Sequence, residues 1–326
     1  MTAKKKKIIF PKSHLFIPSL IPDEFWIGYF GRILMANSIK DIPTIQKANP
    51  YFNGLFGNAD YENIKASMSY KLALMSQTPY KEFIQHHTLI PLLITRNSYH
   101  YRPTKKPVVF NEYARKIMKK GAFFCKKCAE EDIDEYGISS WKRSHQLIGV
   151  DWCLKHHCGL FIVYKEYAMN QPPYKYIKSH KNLIYEINDE SGQNRFIKKF
   201  INLIQYLSAT DHNFDYSDIS SLINYQFNEL IYNSLRPSDT LLSDFLIEKF
   251  PRAWLVRNFP ELKKNSAGEL NKGLDKIIKD DPKLINLLLL ASVIFQNLSS
   301  LPYKLTRNIP SLKKAIDYIE PTPVMW

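Results

Sequence analysis

All four cysteines of this chain fall between Phe124 and Leu160, in two pairs spaced like metal ligands: Cys125-x-x-Cys128, then Cys153-x-x-His156. Two such corners offer three thiolates and one imidazole to a single tetrahedral ion. That is the closed ligand set of one structural Zn²⁺. Three thiolates and Zn²⁺ sum to one negative charge, which Lys126 and Lys127 are placed to offset. His157 and Cys158 are also within reach, so either could replace His156, and a four-cysteine set stays open. The competing readings are a buried cluster of reduced thiols, or a redox Cys-x-x-Cys beside an unrelated histidine.

Catalytic chemistry finds less support. A catalytic zinc needs an open coordination position, and four protein ligands close the site. Glu130, Glu131, Asp132, Asp134 and Glu135 could hold Mg²⁺, but no second acidic motif follows. The run has the character of a helix start and reads as solvated or salt-bridging. Neither a Ser/His/Asp pattern nor a glycine-rich phosphate cradle is evident. The adjacent His86 and His87 would point to different sides of a helix, so packing or a satisfied hydrogen bond is expected there. His145 is expected to support the metal ligands or the core by hydrogen bonding. The expectation is a binding protein, not an enzyme.

The net charge of +14 implies a polyanionic partner. Basic residues concentrate between Arg96 and Lys127, where Glu112 is the only acid and Tyr99, Tyr101, Tyr113, Phe123 and Phe124 are interleaved. Within this strip Arg96, Arg102, Lys105, Lys106, Arg115, Lys116, Lys119 and Lys120 are candidate phosphate contacts. Arg252 and Arg257 are further candidates, on a turn-and-helix segment whose Trp254 and Phe259 should face the core. Lys4 to Lys7 read as a solvated tail.

Several elements must position these groups. Pro22-Asp23-Glu24 should form the first turn of a helix, where proline and acids are favoured. Phe25, Trp26, Tyr29, Phe30, Ile33 and Leu34 then recur at helical spacing and mark a core face. Arg32 on that helix is expected at the surface or as a cap. Tyr51 to Gly57 reads as a loop. Short helices are expected around Tyr61 to Met75 and Pro79 to Gln85, and another from an Asn111 cap to Gly121, with Lys119 and Lys120 at its C-terminal dipole. Trp141 should be core, and the residues after Leu160 a short strand. Glu166 to Asn194 has linker composition. Helices follow at Phe196 to Ser208, Asp218 to Leu230, Thr240 to Lys249 and Asp281 to Leu298. The most apolar run, Leu287 to Phe295, is too short to span a bilayer. The basic start lacks an apolar leader core, and zinc-spaced thiols suit a reducing compartment. A cytoplasmic location is expected.

The run Cys125-x-x-Cys128, Asp134, Tyr136-Gly137, Trp141, Arg143, His145-Gln146, Gly149-Val150, Cys153-x-x-His156 and Leu160 resembles the zinc-finger signature of the TniQ/TnsD transposition target-selection family. Pro22-Asp23-Glu24 and His87-Thr88-Leu89-Ile90-Pro91 agree with it, and Asp281-Pro282-Lys283-Leu284 is similar to a segment of the family's C-terminal half. The resemblance implies a mainly α protein with three parts. Residues 1–165 would be a TniQ-type domain with helix-turn-helix character and a CCCH zinc finger at about 121–160. Residues 166–194 would be a linker, and 195–326 a helical C-terminal domain. It implies zinc ligands Cys125, Cys128, Cys153 and His156, and a role in binding double-stranded DNA and recruiting the AAA+ regulator TnsC. The alternative role is an adaptor, acting as a homodimer, on a CRISPR effector with its guide RNA. His157 departs from the glycine common after the last ligand, and Ser140 from an aromatic before Trp141. The chain is also shorter than the long site-specific members.

Overall fold

The computed structural model describes residues 15–39, 68–89, 119–165, 167–187, 190–209, 225–229, 241–266 and 284–295. Helix predominates, as expected. The N-terminal part holds α1 (Trp26–Ala36), α2 (Met68–Met75) and α3 (Tyr80–His87). A compact αβ module follows: β1 (Ala122–Phe124), α4 (Lys126–Tyr136), α5 (Arg143–Gln146), β2 (Trp152–Cys153), β3 (Cys158–Gly159) and β4 (Phe161–Val163). Beyond it lie a 3-10 turn at Ala168–Asn170, α6 (Pro173–Ser179), β5 (Ile184–Glu186), α7 (Arg195–Ala209), α8 (Leu242–Ile247), α9 (Arg252–Asn258) and α10 (Leu284–Ile294). The expectations at Tyr51 to Gly57, Tyr61 to residue 67 and Asn111 to residue 118 lie outside the described residues.

The aromatic stripe of α1 is core, as its spacing predicts. Tyr29, Phe30, Ile33 and Leu34 close a small cluster with Leu72, Ala73 and Phe83, while Phe25 enters the main core. Gly31 lets α1 approach the backbone at Met169 and Asn170 closely enough that a β-carbon would collide.

Pro22-Asp23-Glu24 does not begin that helix. Asp23 has φ 57°, Phe25 is the N-cap, and the turn serves a tertiary purpose instead. The Asp23 carboxylate accepts hydrogen bonds from Ser144 N (3.2 Å), Ser144 Oγ (2.5 Å) and Arg143 Nε (3.3 Å), so it caps α5 from a distant part of the chain. Phe25 N donates to Trp141 O and Arg143 N to Asp23 O, both at 2.6 Å. Arg32 is likewise not a surface residue. It is buried and grips the buried Glu24 with two bonds of 2.6 Å, Nε to Oε1 and Nη2 to Oε2. A third, Nη2 to Ser19 O at 2.7 Å, fixes the segment before the turn. Burial outweighs these contacts in lifting the Glu24 carboxyl above its usual range. Helix periodicity places Arg32 on α1, but only the folded turn puts a carboxylate beside it.

Residues 167–187, within the expected linker, fold onto the αβ module. Antiparallel pairing orders one sheet β1-β4-β5, with Phe123 opposite Ile162 and Ile162 opposite Tyr185. Trp141 Nε1 donates to Gln171 O (2.7 Å), and Ala168, Met169 and Tyr176 are buried. The C-terminal helices are built onto the αβ module through Gly149, Val150 and Asp151. Gly149 has φ 81° and its backbone holds one face of α9: its N–H donates to Asn258 Oδ1 (3.0 Å) and its carbonyl accepts from Trp254 Nε1 (2.9 Å). Asp151 accepts from Arg257 Nε (2.6 Å) and Asn258 Nδ2 (2.9 Å). Lys119 stands 3.8 Å from the same carboxylate, donates to Val150 O and lies over the Phe123 ring. One apolar core therefore runs from Phe25 to Phe295 across both expected domain boundaries.

Two outcomes test these contacts. Arg32→Met leaves a buried carboxylate unpaired and should lower unfolding free energy by about 3–5 kcal/mol, read from urea denaturation. Burial lowers the Lys119 pKa from 10.5 to about 7. The unfolded chain then binds that proton more tightly, so stability from this group should rise between pH 7 and 10.5 and be level below pH 7. Urea midpoints at the two ends of that window should show the rise in the native chain and lose it in Lys119→Met.

Candidate metal centre

The first ligand corner is made where a strand becomes a helix. Cys125 leaves β1 in an extended conformation and is the N-cap of α4, which puts Cys128 in the first turn, above it. The second corner is a hairpin. Cys153 on β2 pairs directly with Cys158 on β3, and the connecting turn carries His156. His157 in that turn has φ 49°. The left-handed region explains why glycine suits this position, and histidine is among the other residues that tolerate it.

The two corners meet. Ligand atoms of Cys125, Cys128, Cys153 and His156 all lie within 4.8 Å of one another. His156 Nδ1 is 3.4 Å from Cys125 Sγ, 3.3 Å from Cys128 Sγ and 3.5 Å from Cys153 Sγ, and the Cys128 and Cys153 sulfurs are 3.6 Å apart. A tetrahedron with Zn–S of about 2.3 Å and Zn–N of about 2.0–2.1 Å has edges of roughly 3.8 Å between sulfurs and 3.5 Å from sulfur to nitrogen. The observed edges match. Cys158 Sγ lies 3.7 Å from Cys125 Sγ, as a neighbour on the partly exposed side.

Protonation chemistry points the same way. The Cys128 and Cys153 thiols hydrogen-bond to Cys125 and hold it well below the usual thiol range, while the same contacts raise Cys128 and Cys153. Burial pushes Cys158 up to about 12. Thiols this close ionise together only around a cation, so the donor set fits a divalent metal.

Groups behind the ligands orient them. Glu131 Oε1 is 3.1 Å from His156 Nε2, and its other oxygen accepts from Lys155 Nζ (2.8 Å). A proton on Nε2 facing this carboxylate leaves Nδ1 free to coordinate. The Lys155 ammonium is the main reason the exposed Glu131 carboxyl lies below its ordinary range. His145 Nε2 lies 4.0 Å from Cys128 Sγ, and burial lowers this imidazole to about 4, which keeps it neutral. The acidic run does not open a helix, since it occupies the middle and last turns of α4. Asp132 is buried there and accepts from Ser140 N (2.9 Å), Ser140 Oγ (2.7 Å) and Lys142 Nζ (2.6 Å). His87, also read as a packing residue, points Nδ1 at Glu24 O (2.8 Å).

The candidate phosphate contacts divide. Arg96, Arg102, Lys105, Lys106, Arg115 and Lys116 lie outside the described residues. Lys120 and Arg252 are exposed. Lys119 is a correction: its ammonium is enclosed between Val150, Asp151 and Phe123 and faces away from solvent. It is not helical and precedes a bend at Lys120 and Gly121. Arg257 directs its Nε to Asp151. Trp254 and Phe259 are buried, as expected. Sequence reasoning read Glu131 only as part of a solvated or salt-bridging run, quoted Gly149 only within the family signature, and gave Asp151 no role. Glu131 was findable, because three residues after Cys128 is the same helix face. Asp151 and Gly149 carry no local signal, since their partners are more than 100 residues away.

A Cys₃His cluster compatible with a metal ion is thus set into a helical scaffold. Residues 15–160 match the TniQ family model. The chain thus carries a TniQ domain, which makes it a transposition-associated protein. The family domain is a non-catalytic accessory of transposition. No curated protein matches the chain. Among the described residues, no helix is long and apolar enough to cross a membrane.

Purified chain should contain about one equivalent of divalent metal by elemental analysis, and Cys128→Ser should lose it and unfold the module cooperatively, because binding energy at such sites is folding energy. Glu131→Gln should fold but bind metal about 10–100-fold more weakly in a chelator competition.

Proposed function

We propose that this chain selects targets for transposition: it binds double-stranded DNA and recruits an AAA+ regulator of the TnsC type to the chosen site. The observation that carries this reading is the TniQ domain over residues 15–160. The charge supports it. In a chain of net charge +14, the basic strip enters the αβ module at the exposed Lys120, and Arg252 is exposed at the start of α9. The α8–α9 pair, two short helices joined by a tight turn, is the proposed helix-turn-helix, with Arg252 and the exposed Val256 on its open face. The metal is a single structural Zn²⁺ held by Cys125, Cys128, Cys153 and His156. Bound, it cross-links the strand–helix corner to the hairpin, and the site of action is cytoplasmic.

The test is a DNA-binding titration across salt concentration, joined to a pull-down with the AAA+ regulator. Affinity should fall linearly on a log–log plot. Charge reversal at Lys105, Lys106, Lys116 and Lys120 should flatten the slope by about 0.9 per lost phosphate contact. Lys119 is left out of that set because it is buried. An unchanged slope removes the strip from the DNA interface. Capture of a guide-RNA effector without duplex binding would instead assign the adaptor role, with a homodimer as its expected form.

A further inference from the structure

Four donors complete the tetrahedron, yet a further sulfur stands beside it. Cys125, Cys128, Cys153 and His156 form the cluster, and Cys158 Sγ lies 3.7 Å from Cys125 Sγ. The placement follows from the hairpin, where Cys158 pairs with Cys153 across β2 and β3. The two sulfurs differ in access. Cys125 is buried at the start of α4, whereas Cys158 is partly exposed. Cys128 and Cys153, 3.6 Å apart, are buried at both ends. The Cys125–Cys158 pair therefore joins a ligand sulfur to one that solvent reaches.

A disulfide has an S–S bond of about 2.0 Å, so these sulfurs need to approach by less than about 2 Å. Each strand of the hairpin has two residues, which leaves it little resistance to such a shift. Bridging has a direct consequence for the cluster. The thiolate is the metal ligand, and a sulfur held in a disulfide is no longer a thiolate. Two thiolates and one imidazole would remain, and the closed four-ligand set is lost.

We propose that Cys125 and Cys158 form an oxidation switch: a hydroperoxide closes a disulfide between them and frees the metal held by the cluster. The release of metal rests on the proposed zinc; the disulfide rests on the placement of the two sulfurs. Hydrogen peroxide first transfers one oxygen to the Cys158 thiol, giving a sulfenic acid and water as the O–O bond breaks. The Cys125 thiolate then attacks the Cys158 sulfur. The S–S bond forms, the S–O bond breaks and hydroxide leaves. Each sulfur gives up one electron, and the two peroxide oxygens take them. Burial pushes the Cys158 thiol up to about 12, so it reacts slowly and answers sustained, not brief, oxidant.

The experiment treats the full, metal-loaded chain with hydrogen peroxide, alkylates the remaining thiols and maps disulfides by tryptic digestion and mass spectrometry. Cleavage at Lys120, Lys126, Lys142, Lys155 and Lys165 puts each cysteine in a separate peptide. Peptide 121–126 should appear linked to peptide 156–165, while a chromogenic zinc chelator reads metal release in step. A dithiol reductant and added zinc should reverse both. Cys158→Ser should be purified with the native metal content, then lose both the link and the release at the same peroxide dose. Absence of the link, or a link between any other two cysteines in its place, overturns the switch; this mapping needs no variant. So does a bridged chain that keeps its metal, or release unaltered in Cys158→Ser. Cys158→Ser that folds but is purified without metal makes Cys158 a ligand and overturns it too. Native chain that carries no metal yet forms the same bridge would sink the proposed zinc and leave the disulfide standing.

Discussion

Three sulfur atoms and one imidazole nitrogen lie within 4.8 Å of one another, four of their six edges at 3.3 to 3.6 Å, a spacing compatible with a shared metal ion. That constraint organises the centre of the molecule. It joins the exit of β1 and the first turn of α4 to a hairpin that β2 and β3 are too short to stabilise alone. Glu131 and His145, which hold the ligand side chains in place, come from α4 and α5, so the helices and the knuckles support each other.

The αβ module is also the hub for everything else. On one side Asp23 and Glu24 tie the N-terminal helices to it through the α5 cap, the buried Arg32 pair and the His87 contact. On the other, Gly149 and Asp151 receive α9. These are polar contacts in largely buried surroundings, where a missing partner costs far more than the pair contributes. They therefore fix the relative placement of N-terminal helices, module and α9, which a purely apolar interface would specify less sharply. The two polar joints lie on opposite sides of the metal ligands in sequence.

Surface charge in this protein is a poor guide to what faces outward. Lys119, Arg32 and Arg257 each sit in a strongly basic chain, and each turns to a carboxylate: Asp151, Glu24 and Asp151. Lys120, one residue after Lys119, is exposed. Adjacent lysines take opposite roles because the bend before β1 sends successive side chains to different sides.

The sequence by itself determined the Cys₃His cluster, the helical character and the aromatic core of α1. Each of these is written in local spacing: Cys-x-x-Cys and Cys-x-x-His place ligands on one strand–helix corner and one tight turn, and a 3.6-residue apolar period places Tyr29, Phe30 and Ile33 on one face. Only the tertiary structure decided that Pro22-Asp23-Glu24 caps a distant helix, that Ile184–Glu186 adds a strand to the sheet, and that Lys119 is enclosed. Those outcomes depend on pairings between residues far apart in the chain. A short strand such as Ile184–Glu186 has no pattern of its own to announce it, and a charged residue looks the same in sequence whether its partner is water or a buried carboxylate.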